Sequence, residues 1–320
     1  MNLMKKYFSA LLFSLLLVSV SLAADGFTSI FNGSDLTGWK PRGGFAQFSV
    51  RDGVIVGVCA PNTPGNTFLC TEKEYANFVL RLEAKFEVMS NSGVQVRSHT
   101  RPNKDRETVF GYQCEFADRV AVGQIYDEGR RAYKYATKFR DLRRPDEWFS
   151  DDAPRAYKKE DWNQIEIQCV GPSIRTWING VPCANMIDVL DAEGFIGLQV
   201  HAGGKGTILF RNIEIKELPA TAWEPGLKTE KDFAVRAKLP LETVRALLPA
   251  ETDAKFFRNG ENSYAAAIIG DRVVQIVNDL ELQDVTDAGA ASALREKLGK
   301  TEAAWETMTL TPEQKAQIER

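Results

Sequence analysis

The sequence predicts an all-β fold, an antiparallel jelly-roll sandwich, followed by a small α+β appendage at the C-terminus. Three observations predict it. From Phe27 to Leu218 the chain consists of short β-type runs separated by turn signals. No segment in this range has the periodicity of an amphipathic helix, and none could serve as the crossover helix that parallel strands need. After Pro219 helical and strand patterns alternate, which indicates a second, mixed unit.

The first 24 residues have the pattern of a secretory signal peptide. Lys5 and Lys6 precede an apolar run from Tyr7 to Val20, and small residues then supply a cleavage site near Ala23. The run is short and is followed by a small-residue site instead of a basic flank, so we expect no membrane span. We therefore divide the chain into a signal peptide (1–24), a jelly-roll domain (25–220) and a linker with a small α+β domain (221–320), and we expect a secreted or periplasmic protein.

Charge and cysteine content narrow the function classes. The 40 basic and 43 acidic residues give a net charge of −3. Nucleic-acid binding requires a basic stripe, which is missing, so we expect no nucleic-acid partner. The five cysteines match no metal-binding spacing. Cys114 and Cys169 fall on the apolar side of predicted strands and are expected to be buried thiols, whereas a disulfide between Cys59 and Cys70 is left open.

Individual strands of the sandwich follow from side-chain alternation. Residues 77–88 place apolar side chains on one side and charged ones on the other, which is typical of a half-buried strand. Residues 162–182 predict two strands and an Asn179-Gly180 turn that favours positive φ. Residues 194–201 and 206–218 predict two more strands.

The C-terminal hundred residues predict fewer and more varied elements. Residues 222–233 have the composition of a linker, and 235–249 predict a short helix interrupted by prolines. A hairpin is expected to turn at Gly270-Asp271. Residues 288–305 predict a helix with Leu294 and Leu298 on one face.

Three predicted strands share an unusual polar face, each pairing a glutamine with an ionisable group. An ordinary solvated face is the alternative, but lysine is absent from it and both histidines of the chain fall on it. Histidine changes charge near neutral pH, which suits proton transfer, so the alternation favours a binding face. The members are Gln95, Arg97 and His99 in SGVQVRSH, Gln113 and Glu115 in GYQCEFAD, and Gln199 and His201 in GLQVH.

Two segments have the composition of loops that close over a binding face of this kind. A guanidinium can clamp a substrate oxygen, and a carboxylate can accept sugar hydroxyls, although a solvated turn explains the charges equally well. Trp148, in RRPDEWFSDD, is expected either to stack on a sugar ring or to anchor the core. The other loop, GQIYDEGRR, contributes Tyr126, Asp127, Glu128, Arg130 and Arg131.

These motifs carry a resemblance to a known family. FTSIFNGSDLTGWK, NSGVQVRSH, GYQCEFAD, IYDEGRR, WNQIEIQCVGPSIRTWINGVP and GFIGLQVHAGGKGTILFRNIEIKEL occur in this order. Together they resemble the 3-keto-disaccharide hydrolase family over Phe27 to Leu218. The resemblance implies a concanavalin A-like jelly roll, often secreted, that acts on glycosides whose C3 hydroxyl has been oxidised to a ketone. Some relatives are described as lyases.

The chemistry of a 3-keto-glycoside determines which catalytic groups the reaction needs. A C3 ketone acidifies the C2 proton, so a base can remove it and the enolate can expel the C1 substituent. Addition of water then completes a hydrolysis, whereas its absence makes the enzyme a lyase. The candidates are His201 or Glu115 as the base, Arg97 with His99 as the enolate stabiliser, Arg130 or Glu128 for the leaving group, and Gln95, Gln113 and Gln199 for hydroxyl orientation.

The expected partner is a small-molecule sugar, and no cofactor is required by this chemistry. A divalent metal stays open as an alternative, because two histidines and a glutamate could ligate one. A non-catalytic carbohydrate-binding module is the competing function, since sheet faces rich in Gln, Arg and Trp also bind sugars. A structural protein whose appendage carries the partner contact is a third alternative.

Overall fold

The computed structural model describes residues 25–104, 106–117, 121–131, 153–227 and 230–318. Over these ranges the chain forms an antiparallel two-sheet sandwich and a third, C-terminal sheet with helices, which confirms the predicted fold class. The elements of the sandwich are β1 (Thr28–Ser29), β2 (Trp39–Gly43), β3 (Gln47–Arg51), β4 (Val54–Val58), β5 (Thr67–Tyr75), β6 (Phe78–Val88), β7 (Asn91–Asn103), β8 (Arg106–Ala117), β9 (Ile125–Glu128), α1 (Ala153–Ala156), β10 (Asn163–Val170), β11 (Ser173–Ile178), β12 (Val181–Ile187), β13 (Gly194–Val200) and β14 (Thr207–Glu217).

The C-terminal unit has one sheet and three α-helices within the described residues. Its elements are β15 (Glu224–Pro225), β16 (Phe233–Pro240), α2 (Leu241–Leu247), a 3-10 helix (Ala254–Phe256), β17 (Glu261–Ile269), β18 (Arg272–Val277), β19 (Leu280–Thr286), α3 (Ala288–Lys300), β20 (Glu306–Thr309) and α4 (Pro312–Ile318).

Two sheets enclose the main core. The back sheet has the order β12-β11-β10-β6-β14-β4-β3, with β1 also paired to β14, and the front sheet has the order β2-β5-β13-β7-β8-β9. Alternating apolar residues from both inner faces form one buried cluster that includes Leu82, Val96, Ile167 and Leu198. The front sheet therefore has a second, outer face that points away from this core.

Local sequence signals set several turns. Asn179 and Gly180, at φ of 50° and 80°, join β11 to β12 as predicted. Gly270 and Asp271 likewise join β17 to β18. The prediction of a helix across 235–249 is wrong in its first half: residues up to Pro240 form a strand because β17 and β20 pair with it on both sides, and the helix begins at Leu241.

The C-terminal sheet packs between helices and the sandwich. Its order is β15-β20-β16-β17-β18-β19. One face packs against α2 and α3, and the other shares an apolar layer with the sandwich in which Ala265 and Ala267 lie with Val170, Ile187 and Val189. Small side chains on β17 fit this close approach of two layers.

The β7–β8 hairpin bends back over the outer face of the front sheet. Its tip, residues 99–104 and 106–110, forms an ion pair of 2.8 Å from Glu107 to Arg42 on β2. Val109 also packs against Phe68 and Phe195 on that face. Strands β2 and β8 have three strands between them in the sheet, which in a flat sheet is a separation of about 19 Å. The contact therefore shows that the sheet curls, and its concave outer face is called the cleft below.

All five cysteines are buried and unpaired, so the Cys59–Cys70 disulfide that the sequence left open is not formed. The predicted buried thiols are confirmed for Cys114 and Cys169, and burial raises the pKa of Cys169 to about 11. Among the described helices, none is long and apolar enough to cross a membrane.

Candidate active site

The floor of the cleft is the predicted polar face. Gln95 pairs with Gln113 across β7 and β8, and Gln199 follows in the alternation of β13 two residues after Gly197, which pairs with Gln95. Glu115 lies two residues beyond Gln113 on β8. These four side chains are at most 2% exposed although they face away from the core. The alternation therefore correctly predicted that they share a face.

A directed chain of hydrogen bonds crosses this floor. The Ser98 hydroxyl donates to Gln95 Oε1 at 2.5 Å, Gln95 Nε2 donates to Gln113 Oε1 at 3.3 Å, and Gln113 Nε2 donates to Glu115 Oε1 at 2.7 Å. Every donor in the chain points toward Glu115. The chain therefore ends at Glu115, whose carboxyl accepts the last of these hydrogen bonds.

Glu128 enters the same cleft from β9. It pairs with Gly111 on β8, on the side of Gln113 and Glu115. Burial raises the pKa of the Glu128 carboxyl to about 7, the charges of Glu115 and Asp127 raise it further, and a hydrogen bond from Asn66 opposes the rise. A carboxyl with a pKa near neutrality can give or take a proton at physiological pH.

The opposite wall carries His201 and Asn66. His201 directly follows β13, one residue beyond Val200, the last paired residue, so its place on this face stays a prediction. Asn66 Nδ2 donates to Glu128 Oε1 at 3.1 Å, and Asn66 Oδ1 accepts the Ala202 N–H at 2.9 Å. The residue next to His201 is thus linked to Glu128 through one amide side chain.

Two buried acceptors on this face lack a hydrogen-bond partner in the part of the chain that the structure describes. They are Gln199 Oε1 and Asn91 Oδ1. Asn91 lies on the outer face because it precedes Gln95 by four residues on β7. Tyr126, half-buried and opposite Gln113 in the register, is close by. Buried acceptors of this kind are suited to hydroxyl donors, of which sugars have many.

Arg97 does not belong to the cleft, contrary to the predicted alternation. It is 1% exposed and has a φ of 45° at a β-bulge between Val96 and His99. Its guanidinium donates to the Ala76 carbonyl at 2.8 Å, the Gly171 carbonyl at 2.6 Å and Asn77 Oδ1 at 3.0 Å. Because these partners belong to the β5–β6 and β10–β11 connections, Arg97 links the two sheets.

The same bulge also removes His99 from the predicted face. One extra residue in β7 lets Val96 and His99 pair with Tyr112 and Phe110, which are only two residues apart. His99 therefore follows the core-facing side, where its Nε2 lies 3.5 Å from Asp191 Oδ1. The hydrogen bond with Asp191 raises the pKa of His99.

The charged loop after β9 divides between the two sides. Asp127 is fully buried and binds both Arg130 and Arg131 through its carboxylate. These three residues join an internal ion cluster and do not enter the cleft, whereas their neighbour Glu128 does. The other bonds of the cluster run from Arg130 to Asp191 at 2.7 Å, from Arg131 to Asp188 at 2.8 Å and from the Tyr112 hydroxyl to Asp188 at 2.8 Å.

The bulge also bears on the metal alternative, since His99 lies on the opposite side of the sheet from His201 and Glu115. Among the described residues, no group of three or more His, Cys, Asp or Glu side chains could hold a metal ion. Trp148 lies outside the described residues.

Sequence reasoning missed two residues of the cleft and two residues of the ion cluster behind it. Asn91 could have been found by extending the β7 alternation two positions toward the N-terminus from Gly93. Asn66 follows Gly65 in a turn and has no local signal for its contact with Glu128. Asp188 and Asp191 reach the ion cluster only because the segment after β12 packs against β8 and β9.

Several known proteins are similar to this chain. The chain is similar to a solved candidate glycosyl hydrolase from Parabacteroides distasonis (20% identity, 61% of this chain and 95% of that one, TM-score 0.43). It is also similar to carbohydrate binding module CBM66 from Bacillus subtilis (14% identity, 56% of this chain and 96% of that one, TM-score 0.38). A search of curated proteins finds no match. Residues 26–216 match the model of the 3-keto-alpha-glucoside-1,2-lyase-like domain, and the chain belongs to this family.

Proposed function

We propose that this protein cleaves the glycosidic bond of 3-keto-glycosides by removing the C2 proton and eliminating the C1 substituent. The observation that carries the proposal is that two carboxyl groups, Glu115 and Glu128, lie on the same face of the front sheet beside one buried polar floor. Membership of the family supports a carbohydrate-acting function. The buried acceptors Gln199 Oε1 and Asn91 Oδ1 support a ligand rich in hydroxyl groups.

In the proposed reaction Glu115 is the base. It takes the C2 proton, and the electron pair of the C–H bond forms an enolate with the C3 oxygen. His201 donates a hydrogen bond to that oxygen as its charge develops. The glutamine chain supports this role of Glu115, because Gln113 Nε2 donates to its carboxylate and holds it as an acceptor.

Glu128 is the acid for the leaving group. As the enolate collapses to a C1–C2 double bond, the bond from C1 to oxygen breaks and Glu128 gives its proton to the departing oxygen. With a pKa of about 7, a substantial fraction of Glu128 is protonated at neutral pH. Water that adds at C1 and returns a proton to C2 converts elimination into net hydrolysis, and without it the enzyme acts as a lyase.

The test compares the 3-keto and unmodified forms of one glucoside, with products identified by mass and NMR in D₂O. We expect cleavage of the keto form only. A hydrolysed product should carry deuterium at C2, whereas an elimination product has no hydrogen at C2. Glu115→Gln and Glu128→Gln should each lower turnover by about a hundredfold to a thousandfold. Glu87→Gln is the matched control, because Glu87 lies at the end of β6 on the back sheet and pairs with exposed Arg51.

The pH profile gives a second readout. Activity that needs protonated Glu128 should fall as pH rises above about 7, which forms the alkaline limb of the pH profile. Glu128→Gln should lose most of its turnover, and the remaining activity should lack this alkaline limb. Equal cleavage of both glucosides, or near-normal turnover in both variants, would refute the proposal. Binding without product, independent of pH, would instead favour a non-catalytic carbohydrate-binding module.

A further inference from the structure

Asn66 uses both ends of its side-chain amide in the cleft. Its Oδ1 accepts the backbone N–H of Ala202 at 2.9 Å, and its Nδ2 donates to Glu128 Oε1 at 3.1 Å. A peptide N–H can only donate, so Oδ1 must face Ala202. The NH₂ group is therefore committed to Glu128 and offers it a donor and no acceptor.

The backbone around Asn66 is held as firmly as its side chain. The Gly44 N–H donates to the Asn66 carbonyl at 2.9 Å. Gly43 has a φ of 91°, and a Cβ there would lie 2.5 Å from the same carbonyl oxygen. The close packing of these two chain segments fixes the origin of the side chain, so its reach to Glu128 is defined by the loop before β5.

Several charged groups surround Glu128. Glu115 on β8 and Asp127 on its own strand both oppose ionisation of the carboxyl. From the hairpin, Arg101 donates to the Gly129 carbonyl at 2.5 Å, next along the chain. The Asn66 amide is thus the neutral donor that favours the ionised carboxyl against two like charges.

We propose that Asn66 is a positioning residue that aims the Glu128 carboxyl across the cleft and ties it to the segment carrying His201. The catalytic role in this inference rests on the proposed function, whereas the contacts of Asn66 with Glu128 and Ala202 do not depend on it. The inference implies that one amide couples the Glu128 carboxyl to the backbone of the segment that follows β13. A substrate that displaces either wall would therefore disturb both groups.

Two variants of the full chain test the role. Asn66→Ala removes the donor, whereas Asn66→Asp keeps an oxygen for the Ala202 N–H and replaces the NH₂ by a second oxygen that repels Glu128. Thr63→Ala is the control: Thr63 lies in the same loop and bonds the Phe45 N–H at 3.0 Å and the Gly65 carbonyl at 2.9 Å, without contacting Glu128.

The primary measurement is a ¹³C NMR titration of glutamate carboxyls, with the Glu128 signal assigned by its loss in Glu128→Gln. We expect the Glu128 pKa to rise in Asn66→Ala by about one pH unit, which is a tenfold change in the proton affinity of its carboxyl. It should rise further in Asn66→Asp and stay unchanged in Thr63→Ala. The alkaline limb of activity should move upward with the pKa while kcat falls.

An unchanged Glu128 pKa in both Asn66 variants would overturn the inference. Circular dichroism checks that each variant folds. If Asn66→Asp does not fold, the Glu128 pKa in Asn66→Ala alone tests the inference. If the pKa rises as expected but the wild-type protein cleaves no 3-keto-glycoside, the proposed function fails and the positioning role of Asn66 stands.

Discussion

Replacing Arg97 with methionine distinguishes a structural cation from a catalytic one. The sequence pattern places Arg97 beside the substrate, whereas the structure buries its guanidinium between the two sheets. Methionine has a similar unbranched stem and fills most of the same volume, but it donates no hydrogen bond. The variant therefore removes the bonds and keeps much of the packing.

The cost follows from the groups left without partners. The carbonyls of Ala76 and Gly171 lose donors at 2.8 and 2.6 Å. Asn77 Oδ1 keeps a partner, since it also accepts the Gly171 N–H at 3.1 Å. The two carbonyls, of which that of Ala76 is half-buried, and the longer bond of 3.4 Å lost from the Asp191 carbonyl together predict a loss of about 2–4 kcal/mol after partial relaxation. That corresponds to a fall in Tm of roughly 5–15 °C.

Urea and thermal unfolding followed by circular dichroism measure this loss, and turnover is assayed well below the Tm. We expect near-normal turnover by the folded variant. Arg81→Met is the control, because Arg81 is an ion-paired, 37% exposed side chain on the back sheet and should cost less than about 1 kcal/mol. Unchanged stability together with a loss of turnover above about a hundredfold would show that Arg97 meets the transition state instead.

Two further predictions concern the His99 contact and the cysteines. The hydrogen bond with Asp191 raises the pKa of His99, so its stabilising contribution is present below the unfolded pKa and is lost as pH rises through the folded one. Urea unfolding should show that His99→Gln is more destabilising at about pH 5.5 than at about pH 8.5, and an equal effect at both would contradict this. Thiol titration should count five reactive groups in urea and very few in the folded protein. A count of three in urea would instead indicate a disulfide such as Cys59–Cys70.

The ion cluster behind β9 gives the charged loop a clear structural role. Asp127 and Glu128 are adjacent, yet strand alternation sends Asp127 into the cluster and Glu128 into the cleft. Arg130 and Arg131 bind Asp191 and Asp188 from the segment after β12, so the strand that carries Glu128 is anchored to the rest of the sandwich. Val189, which directly follows Asp188, packs in the apolar layer shared with the C-terminal sheet.

The sequence by itself determined the sandwich and most of the floor of the cleft. Period-two alternation assigned Gln95, Gln113, Glu115 and Gln199 to one face because these strands are regular and one of their faces is buried against the core. Turn chemistry placed the Asn179-Gly180 hairpin for an equally local reason. Both signals lie within a few residues of the structure that they predict.

Only the tertiary structure decided where Arg97 and His99 point. A bulge adds one unpaired residue to a strand, and its position depends on how three neighbouring strands pair, so nothing within SGVQVRSH marks it. In β7 the bulge turns Arg97 inward and moves His99 to the other side of the sheet. The contact of Asn66 with Glu128 joins residues 62 positions apart across a curled sheet. Alternation is a property of one strand, whereas a site assembled from several strands depends on bends and packing that no single segment encodes.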